Sequence, residues 1–220
     1  MKNKGEFNME QLDIHLDPHR CALLVIDMQN DFISSGGYHH RHGKPFEPMQ
    51  AIIPNIQMLL HDFPKEIKRI HIATVREPDG SDYHWRFHKI VPEQVRHARQ
   101  TQDTECHVLR GTWGAEIVDL LKPEPQDHLF YKRRNSAFYQ TDLEICLRCW
   151  GIDTLFFTGV AAEICVETTL RDAFIRDFDI IVVNDAVASW DEENYKAMLR
   201  VVGQYFGVVL PAMEVRSLFG

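Results

Sequence analysis

The chain has 220 residues, with 24 Lys and Arg against 32 Asp and Glu, a formal net charge of −8. A hydrophobic fraction of 45% and a charged fraction of 25% exclude an intrinsically disordered chain. The acidic balance excludes a general nucleic-acid or anionic-membrane binder, because both need a positive footprint.

Residues 1–16 read as a polar, flexible lead-in, and residues 17–220 as one domain with a turn at Asp17-Pro18. Cys21-Ala-Leu-Leu-Val-Ile26 is an unbroken apolar run that stops at Asp27, the pattern of a strand buried on both faces. A Gly- and His-rich loop spans residues 34–43. Met49 to Phe63 has helical spacing, with Pro54 near its start where proline costs least. Arg69 to Val75 reads as a second strand. Residues 76–112 form a long irregular insertion with a short helix near 92–99, and loops of that length are usually functional. A short helix follows at Ala115–Leu121.

His128 to Tyr131 is a third strand ending at Lys132. Asp142–Trp150 is a helix that stops at Gly151. Asp153–Thr158 is a fourth strand, and a turn at residues 159–165 leads into a helix that runs to about Asp177. Asp179–Asn184 is a fifth strand, Glu192–Tyr205 a helix, Gly207–Leu210 a sixth strand and Met213–Leu218 a last helical turn or two. The alternation implies an α/β fold: three layers, α/β/α, around a six-stranded, mostly parallel sheet.

Ligands of open parallel sheets bind beyond the carboxyl ends of the strands. Those ends carry Asp27, Lys132 and the turn before Cys165: a carboxylate, an amine and a thiol on one edge. A cysteine at a helix start favours the thiolate. Lys132 either lowers its pKa further or relays a proton between Asp27 and Cys165. The small residues Gly159, Ala161 and Ala162 let backbone N–H groups approach an oxyanion. The plain alternative is that Cys165 is a small buried hydrophobe.

Other candidates are weaker. The aromatics Phe32, Tyr38, Trp85 and Phe138 lie near strand ends or in the insertion and are candidates for the pocket wall. Arg76 and Arg133 suit either a substrate carboxylate or surface ion pairs. His39, His40 and His42, with His84 and His88, crowd two loops, but no carboxylate is placed with them, so solvated loops are expected and no metal. Cys146 and Cys149 form a C-x-x-C inside a helix with no second pair, so they read as core or half-buried residues. The five cysteines are odd in number and sparse, and no secretory h-region is evident, so a reducing cytoplasm with at least some free thiols is expected.

Three segments together resemble a known family. Ala22-Leu-Leu-Val-Ile-Asp-Met-Gln-Asn-Asp-Phe32, Lys132-Arg-Arg-Asn-Ser-Ala-Phe138 and Thr158-Gly-Val-Ala-Ala-Glu-Ile-Cys-Val-Glu-Thr-Thr-Leu-Arg-Asp-Ala173 resemble the signature blocks of the isochorismatase-like cysteine hydrolases. The resemblance runs from about residue 17 to 211. It implies the isochorismatase-like hydrolase fold, a catalytic triad of Asp27, Lys132 and Cys165, and a cis peptide at Val160-Ala161 that aims the N–H groups of Ala161 and Cys165 at an oxyanion. It implies no cofactor. Nicotinamidases carry a metal-binding Asp-x-His after the second strand, and Thr74-Val-Arg-Glu-Pro-Asp-Gly80 lacks it.

The blocks are most similar to those of ureidoacrylate, biuret and N-carbamoylsarcosine amidohydrolases. Biuret hydrolases carry a second Lys three residues after the first, where this chain has Asn135. The implied partner is a small ureide or amide, and the implied assembly a homodimer or homotetramer. Two alternatives stand beside amide cleavage: vinyl-ether hydrolysis of the isochorismatase type, and a catalytically silent binding or scaffold homologue.

Overall fold

The computed structural model describes residues 16–82 and 106–219. At its centre is a six-stranded sheet: β1 (Cys21–Ile26), β2 (Lys68–Thr74), β3 (His128–Lys132), β4 (Thr154–Val160), β5 (Asp179–Ala188) and β6 (Val208–Leu210). The spatial order is β3-β2-β1-β4-β5-β6, and every pair is parallel. β1 has all six residues buried because both its edges and both its faces are covered. That is why its sequence is continuous rather than alternating.

Helices cover both faces. One carries α4 (Ile53–Asp62) and α8 (Ala212–Ser217), whose Ile53, Ile56, Leu59, Ala212 and Val215 pack on Leu23, Val25 and Phe156. The other carries α5 (Leu143–Cys149), α6 (Glu167–Phe174) and α7 (Glu192–Tyr205), whose Leu147, Leu170 and Val202 meet Leu24, Leu155 and Phe157. Three short helices lie between β1 and α4: α1 (Asn30–Ile33), α2 (Tyr38–Arg41) and α3 (Glu47–Gln50). The chain ends of α5 and α7 follow their sequence signals. Gly151 takes φ +72° after α5, and the Asp191 side chain caps α7 by accepting from Asn194 N–H at 2.9 Å.

Several elements differ from the sequence expectation. The helix expected over Met49–Phe63 is split into α3 and α4, because Pro54 has no N–H to give the Gln50 carbonyl. The helix expected at Ala115–Leu121 is two single turns, Trp113–Ala115 and Asp119–Leu121. Between them the chain is extended and pairs with the segment leaving β1: Asn30 N–H donates to Glu116 O and Val118 N–H to Met28 O, each at 3.0 Å. Part of the Gly/His loop is helical as α2. β5 runs past Asn184 to Ala188, because a register shift opposite Phe157–Gly159 lets it pair further along β4. The expected helix near 92–99 lies outside the described residues.

The chain leaves β1 to β2 on one side and returns to β4 on the other, so the topological switch lies between β1 and β4. There Gly159 takes φ +121°, and a Cβ on it would sit 2.0 Å from the Ile26 carbonyl oxygen. Only glycine permits this approach. Gly159→Ala is therefore expected to cost more than about 4 kcal/mol, a value reserved for severe backbone or core clashes. A urea midpoint close to that of the parent protein contradicts it.

Candidate active site

Asp27 ends β1 in the left-handed region, with φ +57° and its N–H bonded to Ile72 O at 2.8 Å. Short polar side chains tolerate this conformation best, and such residues concentrate at functional sites. The carboxylate is fully buried. Its Oδ1 accepts from Thr74 N–H at 3.0 Å and from Thr74 Oγ1 at 2.9 Å, while Oδ2 lies 2.8 Å from Lys132 Nζ. Thr74 and Lys132 are cross-strand partners at the ends of β2 and β3, which brings the amine over the carboxylate. Lys132 Nζ also donates to Thr74 Oγ1 at 2.7 Å and lies 3.3 Å from Cys165 Sγ. Three adjacent strand ends and the turn after β4 thus place a carboxylate, an ammonium and a sulfur in contact.

Cys165 sits in a wide π-type turn, Ala162–Val166, which precedes α6. Such turns recur at functional sites. The expected cis peptide is absent: Val160-Ala161 is trans, and the chain reverses instead through a left-handed Ala161 at φ +58°. The Ala161 carbonyl then accepts from the N–H groups of Ile164 and Cys165, both at 2.9 Å, and of Val166 at 3.4 Å. The Cys165 N–H expected at the oxyanion is thereby taken up within the turn. The first N–H groups of a helical segment lack internal acceptors, which leaves those of Ala162 and Glu163.

The protonation pattern also departs from the expectation of a thiolate. Burial pushes the Cys165 thiol up to about 12, against the pull of the Lys132 ammonium, and the Asp27 carboxylate beside it adds to the rise. Burial also works against the Lys132 ammonium, yet Asp27 and Cys165 hold its pKa above the ordinary lysine value. Beside Asp27, the surroundings thus favour the protonated forms of both Lys132 and Cys165. A raised thiol pKa leaves a smaller thiolate fraction at neutral pH than an exposed cysteine has. Iodoacetamide at pH 8 should label the exposed Cys149 first and Cys165 about tenfold or more slowly than glutathione. Rapid labelling of Cys165 at pH 7, read by peptide mapping, contradicts this.

The segment after Asp27 fixes the surrounding loops. Gln29 Nε2 donates to Thr74 O at 2.8 Å and Ala115 O at 2.7 Å, and Asn30 Nδ2 to Trp113 O at 2.9 Å. Asp31 accepts from Tyr38 N–H at 2.9 Å and Val108 N–H at 2.6 Å. A buried polar run after an apolar strand is accounted for by these bonds.

The predicted wall residues separate. Phe32 and Tyr38 are buried in one aromatic cluster. The Phe32 ring stacks on His39 at 5.3 Å and meets Trp190 at 6.4 Å, and Tyr38 stacks on His42 at 4.0 Å. Because β4 lies between β1 and β5, Phe32 and Trp190 meet across the end of β4. The cluster includes Trp190 and His107, which sequence reasoning did not single out; the usable signal was that Trp190 lies two residues past β5. His39 is not solvated: burial, with Lys44 nearby, pushes it down to about 3, so the imidazole is neutral.

Phe138 instead packs against Phe178 at 5.8 Å and the Arg176 guanidinium at 5.2 Å, contacts of the helical layer. Arg133 is paired with Glu77 at 2.7 Å. Trp85, His84 and His88 lie outside the described residues. Cys146 is half-buried but Cys149 is exposed, since it lies at the solvent side of the last turn of α5. No group of three metal-ligating side chains occurs among the described residues. A cavity of about 420 Å³ opens on the outer face of β2 and β3, lined in part by Ala73, Val75, Leu129 and Tyr131, and the triad does not line it.

Residues 21–214 match the model of the isochorismatase domain. The chain belongs to the isochorismatase family. It is 32% identical over 218 residues to the ureidoacrylate amidohydrolase RutB of Methylobacterium radiotolerans, covering 94% of this chain and 82% of that one. A solved isochorismatase-like hydrolase from Alkaliphilus metalliredigens superposes with a TM-score of 0.74 at 28% identity, over 91% of this chain and 100% of the other. The N-carbamoylsarcosine amidase of Thermoplasma acidophilum superposes with a TM-score of 0.68 at 27% identity, over 88% and 96%. The six-stranded parallel sheet with helices on both faces is the fold of these isochorismatase-like hydrolases. Among the described residues no helix is long and apolar enough to cross a membrane.

Proposed function

We propose that this isochorismatase-family chain is a cysteine amidohydrolase that cleaves a C–N bond of a small ureido or carbamoyl compound through a thioester. The observation that carries the reading is the buried contact of Asp27, Lys132 and Cys165 at the switch point of the sheet. The amidohydrolase relatives support the substrate class.

In this mechanism the neutral thiol gives its proton to Asp27 as sulfur bonds to the substrate carbonyl carbon. Lys132 holds the Asp27 carboxylate in place and, 3.3 Å from sulfur, stabilises the negative charge that develops there. The open N–H groups of the Ala162–Val166 turn face the charge that builds on the carbonyl oxygen. The C–N bond then breaks, and the Asp27 proton leaves on the departing nitrogen as ammonia or an amine. Water, deprotonated by Asp27, attacks the thioester, and the thiol recovers its proton as the acid is released. The thiol's high pKa suits this sequence, because it makes the sulfur a strong nucleophile once the base acts. Ammonia release from a panel of ureides and amides, with Cys165→Ala as control, tests the reading. Vinyl-ether hydrolysis predicts that Cys165→Ala stays active, and a silent homologue predicts no turnover at all.

A further inference from the structure

Arg76 follows the end of β2. Its chain stays extended there: Val75 N–H donates to Lys132 O and Arg76 N–H to Val108 O, both at 3.0 Å, while Arg110 N–H donates to Arg76 O at 2.9 Å. Side chains of extended backbone alternate. Ala73 and Val75 face the outer groove, and Thr74 faces Asp27 and Lys132. Arg76 therefore projects on the Thr74 side, about 6–7 Å further out along the chain from the triad.

The neighbouring charges are matched among themselves. Glu77 is held by Arg110 at 3.0 Å and Arg133 at 2.7 Å, and Asp82 faces Arg133 at 3.6 Å. Asp31 accepts two backbone N–H groups. Arg76 makes no ion pair among the described residues, although it is half-buried. A half-buried guanidinium whose five donors meet no side-chain hydrogen-bond or ion-pair partner among the described residues is shaped for a planar, two-pronged acceptor.

From this placement we infer that Arg76 binds a carboxylate of the substrate and so restricts the enzyme to ureido or carbamoyl acids, with the scissile carbonyl at Cys165 and the acid group one short spacer away. The inference rests on the proposed amidohydrolase reading for the position of the scissile bond.

The test uses Cys165→Ala protein, with and without Arg76→Gln, titrated by calorimetry with 3-ureidopropionate and with its uncharged amide. The acid should bind about thirtyfold more weakly once Arg76 is replaced, the scale of a lost two-pronged charged contact, and the amide should be unaffected. Arg76→Lys should restore part of the difference. Equal losses for both ligands, no loss for the acid, or no binding of the acid to Arg76-containing protein overturns the inference. In otherwise unaltered enzyme, Arg76→Gln should raise KM for the acid and leave kcat within a few-fold. If the enzyme turns over neither ligand, the amidohydrolase reading fails, while the binding contrast still decides the role of Arg76.

Discussion

Cys165→Ala should lower ammonia release from the best ureide substrate by about a thousandfold or more, the usual consequence of removing a covalent nucleophile. The protein should still fold. The thiol is a small buried group whose contact with Lys132, at 3.3 Å, is not needed for the Asp27–Lys132 pair. Thermal unfolding should shift by only a few degrees, because deleting one small buried atom costs little beside the removal of a whole apolar side chain. Cys165→Ser should be nearly as inactive, since a hydroxyl in the same buried place is harder for Asp27 to deprotonate. An alanine variant with activity within tenfold of the parent would move the reaction to acid catalysis of the ether-hydrolysing kind.

The second large effect is structural as well as catalytic. Lys132→Met removes the only ammonium in contact with Asp27 among the described residues and strands a carboxylate that is fully buried. Breaking a buried ion pair from one side costs about 3–5 kcal/mol. For a chain of this length that lowers the melting temperature by on the order of 10 °C. Activity should fall by at least about a hundredfold, because the base loses its position and the developing thiolate its counter-charge. Adding Asp27→Leu to Lys132→Met should recover much of the stability without any activity, since an apolar pair no longer buries a lone charge. If Lys132→Met melts within 2 °C of the parent, the pair is weaker than its geometry indicates.

Much of this site was legible in the sequence for a definite reason. Asp27 and Lys132 each end an apolar run, and parallel sheets carry their chemistry at those ends, so the edge they share follows from pattern alone. Cys165 follows a Gly-Val-Ala-Ala turn after the next strand, which places it beside them. What pattern could not supply is depth. The helix start argued for a thiolate, but burial of the sulfur outweighs it and raises the thiol's pKa. Backbone detail was equally hidden: a left-handed Ala161 reverses the chain where a cis bond was expected, and the Cys165 N–H is used up as a result.

Tertiary pairing erased other local signals. The Ala115–Leu121 stretch has helical composition, yet backbone bonds to Met28 and Asn30 hold its middle extended and leave only a single turn on either side. Phe138 closes a signature block in sequence but faces the helical layer, whereas Trp190 and His107, distant in sequence, join Phe32 and Tyr38. Nearness in sequence is a weak guide to which aromatics share a wall, because the strand order interposes β4 between the loops that meet.

The central claim is that Cys165 is the covalent nucleophile. Peptide mass mapping of enzyme quenched during turnover of a ureide tests it most directly. The account predicts an acyl or carbamoyl adduct on the peptide that carries Cys165, absent from substrate-free enzyme and from Cys165→Ala. An adduct on a different residue, or turnover that persists in Cys165→Ala with no adduct at all, would contradict it.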